Sequence, residues 1–162
     1  MIRMSKSIDL DHPARAVWAI MGDFHGAAFD LDQGLFANKR VVHEDDGKPA
    51  RQVVFDESDA ANDWFLKGST ERTAIERLDR LDDEAMVFEY SLPVPGPMPI
   101  HGYRGMLRVV PRGEAASTAE WSASCTVDPG HEENIQRFAD LSMGRLFDAL
   151  AERLAKSGTA AA

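Results

Sequence analysis

The chain has 162 residues and a mass of 17.9 kDa, the size of one ordinary domain. With 44% hydrophobic and 28% charged residues it has the composition of a globular protein that can bury a core, and not of a disordered one. Eighteen Lys and Arg against 27 Asp and Glu leave a formal net charge of -9, which argues against nucleic acid as the main partner and against electrostatic binding to an anionic membrane surface.

No apolar run approaches the roughly 20 residues of a membrane span, so no membrane insertion is expected. Met1 to Ser7 carries no apolar stretch of the signal-peptide kind. Cys125 is the single cysteine, which rules out an intramolecular disulfide and a cysteine-rich zinc module. A cytoplasmic location is the expectation.

In chain order, a short first strand fits Ser7 to Leu10. Asp11-His12-Pro13 then opens a helix, with a polar cap residue and Pro near the first helical position. Ala14, Val17, Trp18 and Met21 keep helical spacing and Gly22 ends the run. Phe24 to Gly34 reads as a second short helix with loops. The pattern next changes to strands separated by turn residues, at 35–43, 51–56, 69–79, 85–92, 102–111 and 117–127.

Alternation is clearest late in the chain. Met86, Phe88, Tyr90 and Leu92 share one parity, and Ala119, Trp121, Ala123 and Cys125 alternate with Glu120, Ser122, Ser124 and Thr126. One buried and one wet face is the signature of an antiparallel sheet. After Pro129-Gly130 the period becomes helical. Ile135, Phe138, Met143, Leu146, Phe147, Leu150 and Leu154 form a broad apolar stripe, with acids at the start of the helix and Arg153 and Lys156 at its end. The sum is an α+β domain over residues 1–156, with a curved antiparallel sheet of about seven strands wrapped around a long C-terminal helix. Residues 157–162 are expected to form a flexible tail.

That order of elements, with particular segments in it, resembles the START-like (SRPBCC) helix-grip superfamily. Its members include pollen allergens, polyketide cyclase/dehydrase-like proteins and plant hormone receptors. Asp11 to Trp18 is similar to the family's entry into its first helix, and Gly22-Asp23-Phe24 to the turn that follows. Ile75-Glu76-Arg77-Leu78-Asp79-Arg80-Leu81-Asp82-Asp83-Glu84 is similar to the central strand and turn. Tyr103 to Val109 and Ala119 to Ala123 resemble two late strands. Where the receptors carry a Gly-Gly-Asp-His-Arg-Leu-type latch, this chain has Pro93 to His101, so the broader polyketide cyclase-like branch fits better. The resemblance implies a cavity between the concave face of the sheet and the long helix, used across the family for hydrophobic molecules. It leaves the chemistry open.

Glu76 shares parity with Ala74 and Leu78 and matches an acid that lies in the pocket in the receptor branch. Desolvation there would suit it to general acid/base work, so it is the candidate catalytic residue, unless an Arg or the backbone satisfies it as a structural acid. Lys39 matches the family's pocket lysine by position. It either fixes a ligand carboxylate or enolate oxygen, or is a solvated strand lysine, since neither face of its strand is clearly apolar. Phe88, Tyr90, Tyr103 and Trp121 fall on cavity parity, Phe88 as core packing and the other three with polar handles that need partners when buried. Phe138 and Met143 complete the candidate lining from the helix. Arg104 and Arg108 have the opposite parity and are expected in solvent, and Cys125 is expected to be an inert buried thiol.

The five histidines are scattered with no ligand spacing within one element, so neither a metal nor another cofactor is predicted. His25 and His101 are exposed loop histidines or sit at the cavity mouth. Nucleophile-elbow, dinucleotide and phosphate-loop motifs are absent from the sequence. Four prolines stiffen Leu92 to Ile100, a segment fit to serve as a lid or to pack on a neighbouring subunit through Val94, Met98 and Ile100.

The reading that needs least is a carrier or sensor that binds a small hydrophobic or aromatic molecule, as a monomer or homodimer. The alternatives are a cyclase/dehydratase-like enzyme, with Glu76 and either Tyr103 or His101 moving protons in the same cavity, and a protein-interaction module with a filled core.

Overall fold

The computed structural model describes residues 1–32, 36–43, 46–55 and 70–161. The side chains of residues 29, 30, 32, 36–39 and 158–161 lie outside the description. Seven strands form one antiparallel sheet: β1 (Ile2–Leu10), β2 (Phe36–His43), β3 (Pro49–Phe55), β4 (Thr73–Asp82), β5 (Val87–Val94), β6 (Ile100–Pro111) and β7 (Ser117–Val127). Their order across the sheet is β1-β7-β6-β5-β4-β3-β2. The first two strands thus stand at opposite edges, and the segment between them must cross the whole sheet. That segment holds helix α1 (Ala14–Met21) and a 3-10 helix, Ala27–Asp32. The remaining strands meander back to β1, and helix α2 (Glu132–Ala161) closes the concave side.

Strand alternation drives this arrangement. In β7 Ser117, Ala119, Trp121, Ala123, Cys125 and Val127 are all buried, while the intervening side chains face outward. Irregular pairing in β2, β4 and β6 bends the sheet around the helix. In β6 the break falls between His101 and Arg104 and includes Gly102 at φ 61°, a conformation costly for any residue with a Cβ.

The observed architecture matches the expected helix-grip class, with corrections in detail. The first strand begins at Ile2 rather than Ser7, because β7 pairs with it from Cys125 to Ser117. Lys6 occupies the inward parity there and hides the alternation of Met4, Ile8 and Leu10. The predicted second short helix is a 3-10 helix. No side chain caps α1, whose preceding residue is Pro13. Its first turn is held from elsewhere instead: Ser117 Oγ donates to the His12 carbonyl at 2.9 Å, and Arg15 donates to the carbonyls of Asp83 (2.6 Å) and Glu84 (3.0 Å). α2 runs on through residues 157–161, which leaves Arg153 and Lys156 inside the helix and no base in its last turn. Position 35, position 56 and position 69, at the ends of predicted strands, lie outside the described residues.

The core follows the concave face. Val17, Met21, Phe88, Val109, Cys125 and Leu150 are almost fully enclosed. Trp18 joins this core and donates its Nε1–H to Asp83 Oδ1 at 2.9 Å. The turn after β4, part of the segment that carries the family resemblance, is therefore where α1 is fastened to the sheet.

Candidate functional site

Between the sheet and α2 lies a cavity of about 130 Å³. Its wall is largely apolar, from Met21 on α1, Leu31 on the 3-10 helix, Val53 and Phe55 on β3, and Phe138, Met143 and Leu146 on α2. Glu76, Phe88, Tyr90, Tyr103 and Trp121 also line it. Lys39 stands opposite Val53 in the β2–β3 ladder, and its side chain lies outside the described residues.

Two polar groups interrupt the apolar wall. The first is an ion pair. Arg51 and Glu76 face each other across β3 and β4, and the Arg51 guanidinium contacts the Glu76 carboxylate. Arg51 is buried, 9% exposed, and its guanidinium carbon stands 4.0 Å from the centre of the Phe24 ring. The two charges cancel, and they are the charged side chains among the described lining residues.

The second is an aromatic hydrogen-bond chain. Trp121 Nε1–H donates to the Tyr90 hydroxyl at 3.0 Å, and the Tyr90 and Tyr103 hydroxyls are 2.9 Å apart. An indole nitrogen can only donate, so Tyr90 oxygen accepts there. Of the two hydroxyl protons on the tyrosine pair, one lies between the oxygens. The other has no acceptor among the described residues and is available to a molecule in the cavity. Desolvation raises the Tyr90 pKa to about 12, with the Glu76 charge adding and the hydrogen bonds from Tyr103 and Trp121 opposing. Tyr103 is also held well above its ordinary value, by desolvation first and then by Tyr90 and Glu76. Both phenols are neutral donors over the physiological range.

Gly105 makes this chain possible. It pairs with Tyr90 across β5 and β6, and a Cβ there would come within 2.4 Å of the Tyr90 ring. The ring covers a position where any other residue would displace it.

The proline segment follows the lid reading in part. Met98 and Ile100 are buried and line the cavity, Pro97 and Pro99 are enclosed, and Val94 is exposed. His101 does not join the site. Its ring is exposed and contacts Asp128 Oδ1 through Nε2 at 2.7 Å, which corrects its candidacy as a proton-moving partner of Glu76. His25 bonds the Ala50 carbonyl through Nε2 at 2.9 Å and is absent from the lining. Arg104 and Arg108 are exposed as expected. Burial raises the Cys125 thiol pKa, in keeping with an unreactive core residue. Among the described residues no three His, Cys, Asp or Glu side chains converge as a metal-ligand set.

Arg51 is the site residue that the sequence reading missed. The signal was present: Arg51, Val53 and Phe55 share the buried parity of β3, and an arginine on an apolar face needs a partner.

The family description "Polyketide cyclase / dehydrase and lipid transport" matches the sequence over residues 1–158. The chain belongs to this family. Among solved structures, a Thermobifida fusca protein determined by solution NMR is 27% identical with a TM-score of 0.69, covering 96% of this chain and 95% of that one. XoxI from Bacillus cereus is 19% identical with a TM-score of 0.71, covering 94% and 95%. Norcoclaurine synthase from Thalictrum flavum, solved as a point mutant with a transition-state analogue, is 16% identical with a TM-score of 0.73, covering 97% and 96%. No functionally curated protein matches the sequence. Membership in the polyketide cyclase/dehydrase and lipid transport family, with these neighbours, makes the chain a ligand-binding helix-grip fold. No helix among the described residues is long and apolar enough to cross a membrane, α2 included.

Proposed function

We propose that the protein is a cytoplasmic carrier or sensor, a monomer or homodimer, whose cavity takes a small neutral molecule with an apolar body and one hydrogen-bond acceptor. The observation that carries this reading is the pairing of an apolar cavity with a single uncommitted phenolic proton. The size follows from the volume: about 130 Å³ is close to the roughly 150 Å³ of an engineered apolar cavity that holds benzene. A ligand near the size of one aromatic ring fits without movement of the walls. Neutrality follows from the Arg51–Glu76 pair, which leaves no net charge to receive an anion. The acceptor is a carbonyl or ether oxygen bonded to the Tyr90–Tyr103 pair. Norcoclaurine synthase, which shares the fold, has been solved with dopamine and hydroxybenzaldehyde, and ligands of that size support the reading. A cavity of this volume speaks against a filled core and so against an interaction module.

A cyclase or dehydratase reaction in the same cavity is the second reading, favoured by Glu76 sharing the cavity wall with two phenols. With Glu76 held by Arg51 and both phenols protonated, the site offers hydrogen bonds and charge balance more readily than a free base.

Native mass spectrometry of freshly purified protein tests the binding reading. A stoichiometric small neutral adduct supports it. An apo mass, together with no thermal shift from a panel of single-ring compounds, contradicts it. Glu76→Gln separates the two readings. A carrier changes in affinity and has no turnover to lose, whereas an enzyme loses turnover and still binds.

A further inference from the structure

The outer face of the sheet carries a second concavity, a groove of about 630 Å³ lined from β1, β4, β5, β6 and β7. We propose that this groove binds a phosphate monoester carried by a small molecule, gripped between Arg3 and Arg104 over Ser124.

The register places the three residues side by side. Arg3 on β1 and Arg104 on β6 both pair with Ser124 on β7, so all three side chains leave the same face of the sheet. Neighbouring strands are about 4.8 Å apart, which puts the two arginine backbones roughly 10 Å from each other, within reach of a common anion between them. Beneath the side chains the floor is built from small residues, Ser5, Ser122, Ser124 and Gly105. Hydroxyls there can donate upward to an anion, and Met106, opposite Ser122, is the bulkier outward neighbour that borders them.

Arg3 and Arg104 are the basic residues of the groove lining. The groove also contains Asp79 and Glu89, but both are engaged: Arg77 donates to Asp79 at 2.9 Å, and Arg80 stands 3.6 Å from Glu89. Arg3 and Arg104, by contrast, have no carboxylate partner among the described residues. In a chain with nine more acids than bases, two adjacent uncompensated guanidiniums do not reflect a shortage of acids.

The chemistry of the donors favours phosphate over carboxylate. Two guanidiniums and the serine hydroxyls together offer more donors than the two oxygens of a carboxylate can serve at once, whereas a phosphate monoester has three free oxygens for them. The volume leaves room for the body of the ester as well as its phosphate.

The site is tested by titrating the isotopically labelled protein with inorganic phosphate at constant ionic strength, reading backbone amide shifts. The expected result is saturable shifts confined to residues 3–5, 104–106 and 122–124, with acetate giving none. Arg104→Gln and Arg3→Gln, both at exposed positions, should each weaken phosphate binding tenfold or more. Arg153→Gln, on the exposed side of α2, should leave it unchanged. Shifts spread over all exposed cations, equal shifts with acetate, or unaltered affinity in folded Arg3→Gln and Arg104→Gln proteins would each overturn the proposal.

Discussion

Arg51 and Glu76 occupy opposed positions in the β3–β4 ladder and close an ion pair in the wall of the cavity. Their side chains are largely removed from water, so each depends on the other for charge compensation. Arg51→Met leaves the Glu76 carboxylate facing an apolar space without its guanidinium and should cost about 3 kcal/mol in urea denaturation. Arg51→Met combined with Glu76→Leu removes both charges and should recover most of that loss. A double variant as unstable as Arg51→Met alone would show that the pair is not coupled.

The contact between Gly105 and the Tyr90 ring yields a second test. Gly105→Ala forces the ring aside and should cost about 1–3 kcal/mol, as overpacking does elsewhere. The penalty should shrink when Tyr90 is first truncated to alanine. Equal cost in both backgrounds, measured by thermal or urea unfolding, would mean that the ring is not what the added methyl meets.

Tyr90 and Tyr103 are the two tyrosines of the chain, so phenolate absorbance in the near ultraviolet reports on this hydrogen-bond chain alone. Burial raises Tyr90 from 10.0 to about 12, and Tyr103 is raised as well. The folded protein then binds protons that the unfolded chain has released, so this contribution to stability is intact below pH 10 and falls as pH rises towards 12. Each such tyrosine adds a slope of about 1.4 kcal/mol per pH unit in that window. Phenolate signal should appear together with alkaline unfolding. Phenolate absorbance with a midpoint near pH 10 in protein that is still folded would contradict the burial of the pair.

Much of this was legible in the sequence, for reasons that differ by element. The β7 alternation from Ala119 to Cys125 is uninterrupted, and the α2 stripe spans several turns, so period alone identified both. The first half of β1 was not legible, because Lys6 sits on the inward parity and only pairing with β7 makes Ile2 to Lys6 a strand. Glu76, Tyr90, Tyr103 and Trp121 could be nominated by parity and resemblance. Their hydrogen-bond partners could not, since those depend on register across β3 to β7. Arg51 escaped notice because its meaning lies in the residue opposite, and so did Gly105, whose role is to be small beneath Tyr90. Of the two readings open for His101, the exposed one holds: chain order sets it at the end of the proline segment, and the strand turns its ring outward to Asp128.

On the binding function proposed above, the cavity selects a neutral ring-sized molecule by one accepted hydrogen bond. Calorimetric titration with three compounds of nearly identical shape tests this selection: acetophenone, α-methylstyrene and benzoate. The first has a carbonyl acceptor, the second has a methylene in its place, and the third is an anion. Acetophenone should bind with a dissociation constant on the order of 10 µM to 1 mM, as its size permits. The styrene should bind several-fold more weakly and benzoate not measurably, and in the Tyr103→Phe protein the advantage of the ketone over the styrene should shrink. Tight binding of benzoate, or equal binding of ketone and styrene to the unaltered protein, would contradict it.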